Sequence, residues 1–261
     1  MSYEIDYDEF SSPSDVYDVV VRSRYHSLSS NVSRAGNTSY RIRYESGQRH
    51  HGNAWAAMDN PRYGFETNAH GHVSELRSSV WLYVPDEFSL PSGRAIRFWN
   101  AAISYSAGDG HSGGDQPDGT NGWSVRNSIH NENGPPYAIT HYVYNMGDRG
   151  YTRHSNVIEH GWNYLEWNIE VNTWSGSTAN ADGVSEMWAN GDVVYSTDGW
   201  RWTIAEDNMI EYNGPAAFGD SSGSLYYDRH TLSTDVLDDP SPPDEPDPAF
   251  DEPVCIRDLT D

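Results

Sequence analysis

The chain is 261 residues long and carries 39 acidic side chains against 16 basic ones, a formal charge of −23. All 16 basic residues are arginine and lysine is absent, so no basic stripe exists to displace counterions and a nucleic-acid partner is excluded. No apolar run reaches the roughly 18 residues that a spanning helix needs, and a single cysteine, Cys255, cannot form an internal disulfide.

Self-repulsion at this charge is strong in dilute buffer. It is largely screened at molar salt, where the Debye length falls to about 3 Å. Loss of every lysine points to a salt-adapted protein from a halophilic source. A calcium-binding acidic surface would not by itself remove them all. The 10 Trp and 18 Tyr residues suit a face that stacks on sugars, and equally suit strands of an ordinary β-protein.

In chain order, residues 1–22 read as an acidic N-terminal arm, with Asp15 to Val21 as a first strand. MSYEIDYDEF lacks the basic start and apolar core of a signal peptide, so the expected location is a virion surface, with an extracellular protein as the alternative. Residues 23–234 form the main domain. Ser39 to Glu45 alternates cleanly, and His72 to Val84 is a long strand with Leu76, Val80 and Leu82 inward. Arg94 to Ser104 is another strand, followed by a glycine-rich loop, Gly108 to Gly122, expected to be mobile or ligand-contacting. Trp123 to His130 and Tyr137 to Asn145 form a pair.

Trp162 to Val171 alternates again, with Leu165, Trp167, Ile169 and Val171 on one face. Asn190-Gly191 separates Glu186–Ala189 from Asp192–Tyr195, a strong hairpin signal. Met209 to Gly219 and Ser224 to Leu232 close the set. With no amphipathic helix of three turns, the fold class is all-β, a two-sheet antiparallel sandwich. Residues 235–261 form an acidic tail with six prolines, expected to be extended. Val254, Cys255, Ile256 and Leu259 are its expected docking side chains, which argues for an assembly.

The segment His160 to Val194 (a Trp-led strand, Asn-Thr, a loop, Asp-Gly, then Trp-x-Asn-Gly and a Val pair) resembles the alginate- and glucuronan-type polysaccharide lyases, family fourteen and its neighbours. The resemblance spans roughly Arg41 to Ser233. It implies a concanavalin A-like jelly roll and cleavage of uronic-acid chains by β-elimination. That reaction needs the substrate carboxylate neutralised, a base for the adjacent C–H and an acid for the leaving oxygen.

Matched to the family pattern, Gly122-Trp123-Ser124-Val125-Arg126 supplies a serine and an arginine, and His141-Tyr142-Val143-Tyr144 supplies two tyrosines. The two-residue period puts Ser124, Arg126, Ser128 and His130 on one face, and Thr140, Tyr142 and Tyr144 on one face of the neighbour. The expected glycan-binding set is Arg94, Ser124, Arg126, His130, Tyr142 and Tyr144, with Tyr142, Tyr144 and Ser124 catalytic if the protein is active. The family's lysine falls on Arg94, which stays protonated and cannot be the base. Tyr142, Tyr144, His130 or His141 could serve instead.

His50-His51 and His70-x-His72 lack further ligands at metal spacing. No cofactor is expected, and calcium at Asp220 and Asp228 stays open, although two acids fall short of a hard-cation site. The first reading is a glycan-binding structural protein of a halophilic virus particle. It would engage an acidic host-surface polysaccharide or glycoprotein glycan, contact other virion proteins through its tail, and form a homo-oligomer. A working polysaccharide lyase and a purely architectural decoration protein are the alternatives.

Overall fold

A computed structural model describes residues 1–147 and 149–234. The N-terminal strands are β1 (Ser2–Ile5), β2 (Val19–Val21), β3 (His26–Ser29), β4 (Ser39–Tyr44), β5 (His50–Ala57) and β6 (Glu75–Val84). Then come β7 (Ala95–Ser104), β8 (Trp123–His130), β9 (Tyr137–Tyr144), β10 (Arg149–Ile158) and β11 (Gly161–Glu170). The last are β12 (Trp174–Ser175), β13 (Thr178–Ala179), β14 (Gly183–Ala189), β15 (Asp192–Trp200), β16 (Tyr212–Phe218) and β17 (Gly223–Ser233). The one α-helical turn among the described residues, α1 (Pro13–Val16), sits where the sequence reads as strand, so the first strand shrinks to Val19–Val21. No helix among the described residues is long and apolar enough to cross a membrane.

Two antiparallel sheets form the sandwich. The front sheet runs β10-β9-β8-β7-β16-β5-β2, and the back sheet runs β15-β14-β11-β6-β17-β4-β3 with β1 also on β17. The N-terminal arm lies along the sandwich. β1 pairs with the second half of β17 and β2 with β5, so residues 1–22 extend both sheets. Ile5, Tyr7, Val16 and Tyr17 are buried there. The tail, with its expected docking residues Val254, Cys255, Ile256 and Leu259, lies outside the described residues.

Alternation places one face of each strand in the core. β6 contributes Leu76, Val80, Leu82 and Val84, while β11 contributes Leu165, Trp167 and Ile169. From the front sheet come Ile96, Phe98, Trp99, Trp123, Val125, Ile129, Ile139 and Val143. Trp99 stacks on Trp167 across the layers at 5.4 Å and 8°, an offset aromatic contact worth about 0.5–1.5 kcal/mol beyond the area it buries. At the hairpin, Asn190 and Gly191 take φ of 54° and 89°. Those paired left-handed values fit the twist of the flanking strands.

Candidate binding site on the front sheet

The outer face of the front sheet gathers the polar residues. In the β8–β9 register Ser124 faces Tyr144, Arg126 faces Tyr142 and Ser128 faces Thr140, so all six share one side. Val125, Ile129, Ile139 and Val143 go to the core. His141 also points inward, bonded to Asn127 at 3.0 Å and Ser185 at 2.8 Å, which removes it as a candidate base. On the next strands, Asn100 lies opposite Arg126, Arg97 opposite Ser128, and Tyr151 opposite Tyr142.

Arg126 is the hub. Its Nε donates to Ser124 Oγ at 2.7 Å, an Nη donates to the His111 carbonyl, and its guanidinium lies 4.9 Å from the Tyr144 ring centre. Ser124 Oγ donates to the same His111 carbonyl at 2.8 Å. With Arg126 only 3% exposed and Ser124 at 0%, both act as fasteners, holding the loop and the Tyr144 ring in place. Burial, then the like charge of Arg97, presses Arg126 below the ordinary guanidinium range. It remains a cation at neutral pH.

The accessible cation is Arg97. It is half-buried, its guanidinium lies 5.5 Å from the Phe218 ring, and it has no hydrogen-bond or ionic partner among the described residues. Neither arginine faces a carboxylate there. Two uncompensated guanidinium groups side by side, in a chain of charge −23, form a site for an anion, since a carboxylate would relieve repulsion and accept several charge-assisted bonds. Asn100, 1% exposed, adds an amide oxygen with no partner among the described residues.

The basic position thus differs from the one read from sequence. Arg94 is exposed and precedes β7, beside Asn131 at the far end. Six residues separate it from Asn100, roughly 20 Å of strand. Arg97 turns outward by plain alternation with the buried Ile96 and Phe98; the bulges between Arg97 and Trp99 and between Asn100 and Ala102 then reset the alternation, so Phe98 and Trp99 are both buried. His130 shares the outer face, four residues from Arg126 and about 13 Å along the strand. It flanks the cluster near the Arg153–Glu132 ion pair.

His111 joins the cluster from the glycine-rich loop. That loop is pinned at its start by Glu211, which accepts from the Tyr105 and Ser106 amides at 2.9 and 2.8 Å. At its end Asn208 accepts from Gly122 N at 3.0 Å and Trp123 Nε1 at 2.6 Å. The His111 ring packs 4.6 Å from Tyr105, and Nδ1 donates to the Gly108 carbonyl at 2.6 Å. This fixes the tautomer and leaves Nε2 as a lone pair with no partner among the described residues. Burial first, then Arg126 and Arg97, lower its pKa, so the ring is neutral at pH 7. Tyr212, Trp55 and Tyr105 continue from it as an aromatic run, with centroids 5.5 Å apart at each step.

The arrangement holds two guanidinium groups, a buried neutral imidazole whose Nε2 has no partner among the described residues, and two phenols. Chemically it can neutralise a carboxylate, accept a proton and donate one. No group of three or more metal-ligating side chains occurs among the described residues. Asp220 accepts from Gly47 N at 2.9 Å. Asp228 is buried elsewhere, accepting from the amides of Arg34, Ala35 and Arg229. The two acids sit in different environments, each with its own backbone partners.

No family model and no curated protein matches the sequence. Solved structures do match in fold. An alginate lyase variant bound to an alginate tetrasaccharide superposes with TM-score 0.61 at 14% identity, covering 90% of this chain and 97% of that one. The PL-14 alginate lyase from Aplysia kurodai gives 0.61 at 12% identity, covering 90% and 98%. The endo-β-1,4-glucuronan lyase from the fungus Trichoderma reesei gives 0.55 at 12%, covering 90% and 95%. The chain therefore has the jelly-roll fold of the alginate and glucuronan lyases.

Proposed function

We propose that the front-sheet face binds a uronic-acid polysaccharide and cleaves it by β-elimination. The observation that carries this reading is the pair Arg97 and Arg126, two guanidinium groups on one outer face with no carboxylate opposite them among the described residues. Arg97 neutralises the substrate carboxylate and so acidifies the C–H beside it. His111 Nε2 takes that proton. The electron pair forms the ring double bond as the C–O bond to the next sugar breaks, and Tyr142 or Tyr144 protonates the departing oxygen. Such a base must be neutral, so the rate should be level above about pH 7 and fall as His111 protonates in acid, below the ordinary imidazole value.

The test is the ultraviolet absorbance of unsaturated uronides released from alginate and glucuronan. Release that is abolished in His111→Gln and Tyr144→Phe supports the assignment. No release from either polymer overturns the elimination step.

A second reading, recognition without turnover, is favoured by the arginine-only cation set, since the family's lysine has no counterpart here. In that case the protein would hold an acidic glycan, as an attachment component of a salt-adapted particle would. Binding retained with a flat absorbance trace would select it.

A further inference from the structure

The outer face of the back sheet carries an unexpected concentration of rings. One row runs straight across four strands: Arg41 on β4 faces Tyr226 on β17, which faces Tyr83 on β6, which faces Trp162 on β11. Ring centroids are 6.1 Å apart for Tyr226–Tyr83 and 5.1 Å for Tyr83–Trp162. The adjacent row pairs Trp81 with Tyr164 at 5.1 Å, and Arg34 lies 4.3 Å from the Trp81 ring centre. Cross-strand aromatic pairs of this kind stabilise a sheet. That alone does not explain why Tyr83, Trp81 and Trp162 keep part of their surface open to solvent.

Strand spacing sets the row's period. One ring per strand is close to one ring per sugar unit of an extended polysaccharide, whose apolar ring faces stack on aromatic planes. At the end of the row Arg41 donates through Nε to Ser224 Oγ at 2.9 Å and has no carboxylate partner among the described residues. Near Tyr83, Asp86 is bonded to His160 at 2.9 Å, and Asp86 and Glu87 set negative charge against the Tyr83 phenol, so the cationic edge of the row is the Arg41 side. A cation beside a ladder of rings selects a chain that is apolar on its sugar faces and anionic at its edge.

We propose that this back-sheet face is a second polysaccharide-binding surface, which takes a strand of uronic-acid polymer across the partly exposed rings of Tyr83 and Trp162, past the largely buried Tyr226, with its carboxylates toward Arg41. The ligand class rests on the reading of the front-sheet site; the geometry of the row does not. A long polymer bound on the back keeps the protein on its substrate while a second strand, or another part of the same one, enters the front face. Short oligosaccharides use the front face alone.

The experiment measures dissociation constants for sodium alginate by affinity electrophoresis, and for an alginate tetrasaccharide by calorimetry, on the full chain. Variants are Tyr83→Ala with Trp162→Ala, Arg41→Glu, and Arg97→Gln. The back-face variants should bind polymer about tenfold more weakly, the effect of losing one stacked or charge-assisted contact set, with tetrasaccharide binding unchanged. Arg97→Gln should lose the tetrasaccharide and keep part of its hold on the polymer.

Arg41→Glu guards against misfolding of the double variant, since it changes one partly exposed side chain and leaves the aromatic row intact. Wild-type polymer affinity in both back-face variants overturns the proposal. So does wild-type polymer affinity combined with a change from oligomer to monomer, which would give the face to a second copy of the chain. If the unaltered protein binds neither tetrasaccharide nor polymer, the front-site reading fails as well. Normal tetrasaccharide binding with unaffected back-face variants removes this surface alone.

Discussion

Dropping the pH from about 8 to about 5.5 charges the histidines of the unfolded chain but leaves three of them neutral in the folded one. His26, His141 and His230 are 6%, 1% and 0% exposed. Burial pulls their pKa values down from about 6.5 to about 4, about 3 and about 3. His230 shows why: Tyr17 bonds Nδ1 at 3.1 Å, and Nε2 donates to Asn213 Oδ1 at 2.8 Å, inside a dry layer against Trp99. The unfolded state therefore binds protons that the folded state refuses. Their stability is complete above the unfolded value near 6.5 and drains away as the pH falls from there.

At about pH 5.5 each ring costs about 1.4 kcal/mol, or about 4 kcal/mol for the three. Asp228 works the other way. Burial pushes it up to about 6, so the folded state takes its proton first and returns under about 1 kcal/mol. The net loss of about 3 kcal/mol corresponds to a fall of roughly 6–12 °C in melting temperature for a chain of this size. Thermal melts followed by tryptophan fluorescence at fixed ionic strength measure it. A melting temperature that holds steady across this range would show that the three imidazoles carry no burial penalty, and would refute the reasoning.

Other expectations follow from the same structure. Raising KCl from about 0.1 M to about 2 M should raise the melting temperature, because screening of the charge of −23 relieves self-repulsion; a flat response would contradict the salt-adapted reading. Trp167→Ala removes the ring stacked on Trp99 at 5.4 Å and should cost about 3–5 kcal/mol in urea unfolding. Arg97→Gln should leave the melting temperature unchanged while weakening oligouronate binding by about 1.5–3 kcal/mol, the usual worth of a charge-assisted bond, as read by calorimetry.

Most of the sandwich was legible because its central strands alternate cleanly. β11 and β6 pair along their whole length with the apolar residues of both facing inward, as the two-residue period requires. The hairpin at Asn190-Gly191 was legible from turn chemistry alone. β5 was not, because HHGNAWAA is rich in small residues with a glycine in its midst, and its place beside β16 is set by tertiary pairing. β10, a polar edge strand, gave no apolar rhythm either.

Within the site, Ser124, Arg126, Tyr142 and Tyr144 were legible as one face because β8 and β9 pair without a bulge. Arg97 alternates with the buried Ile96 and Phe98; what alternation could not reveal is that the bulges beyond it bring Asn100 to the same face, opposite Arg126. His111 was hidden for a different reason. It lies in a loop, and only the bonds from Arg126 and Ser124 to its carbonyl bring it to the strand. A histidine in a glycine-rich segment ahead of Gly-Trp-Ser-x-Arg was the one signal available.

The idea that most needs testing is that the front-sheet guanidinium groups, which face no carboxylate among the described residues, await polymer carboxylates. Calorimetric titration of the protein with an oligouronate and with its carboxyl-reduced, neutral counterpart tests it directly. The expected result is binding of the charged chain at least about tenfold tighter. Equal affinity for the two would contradict it.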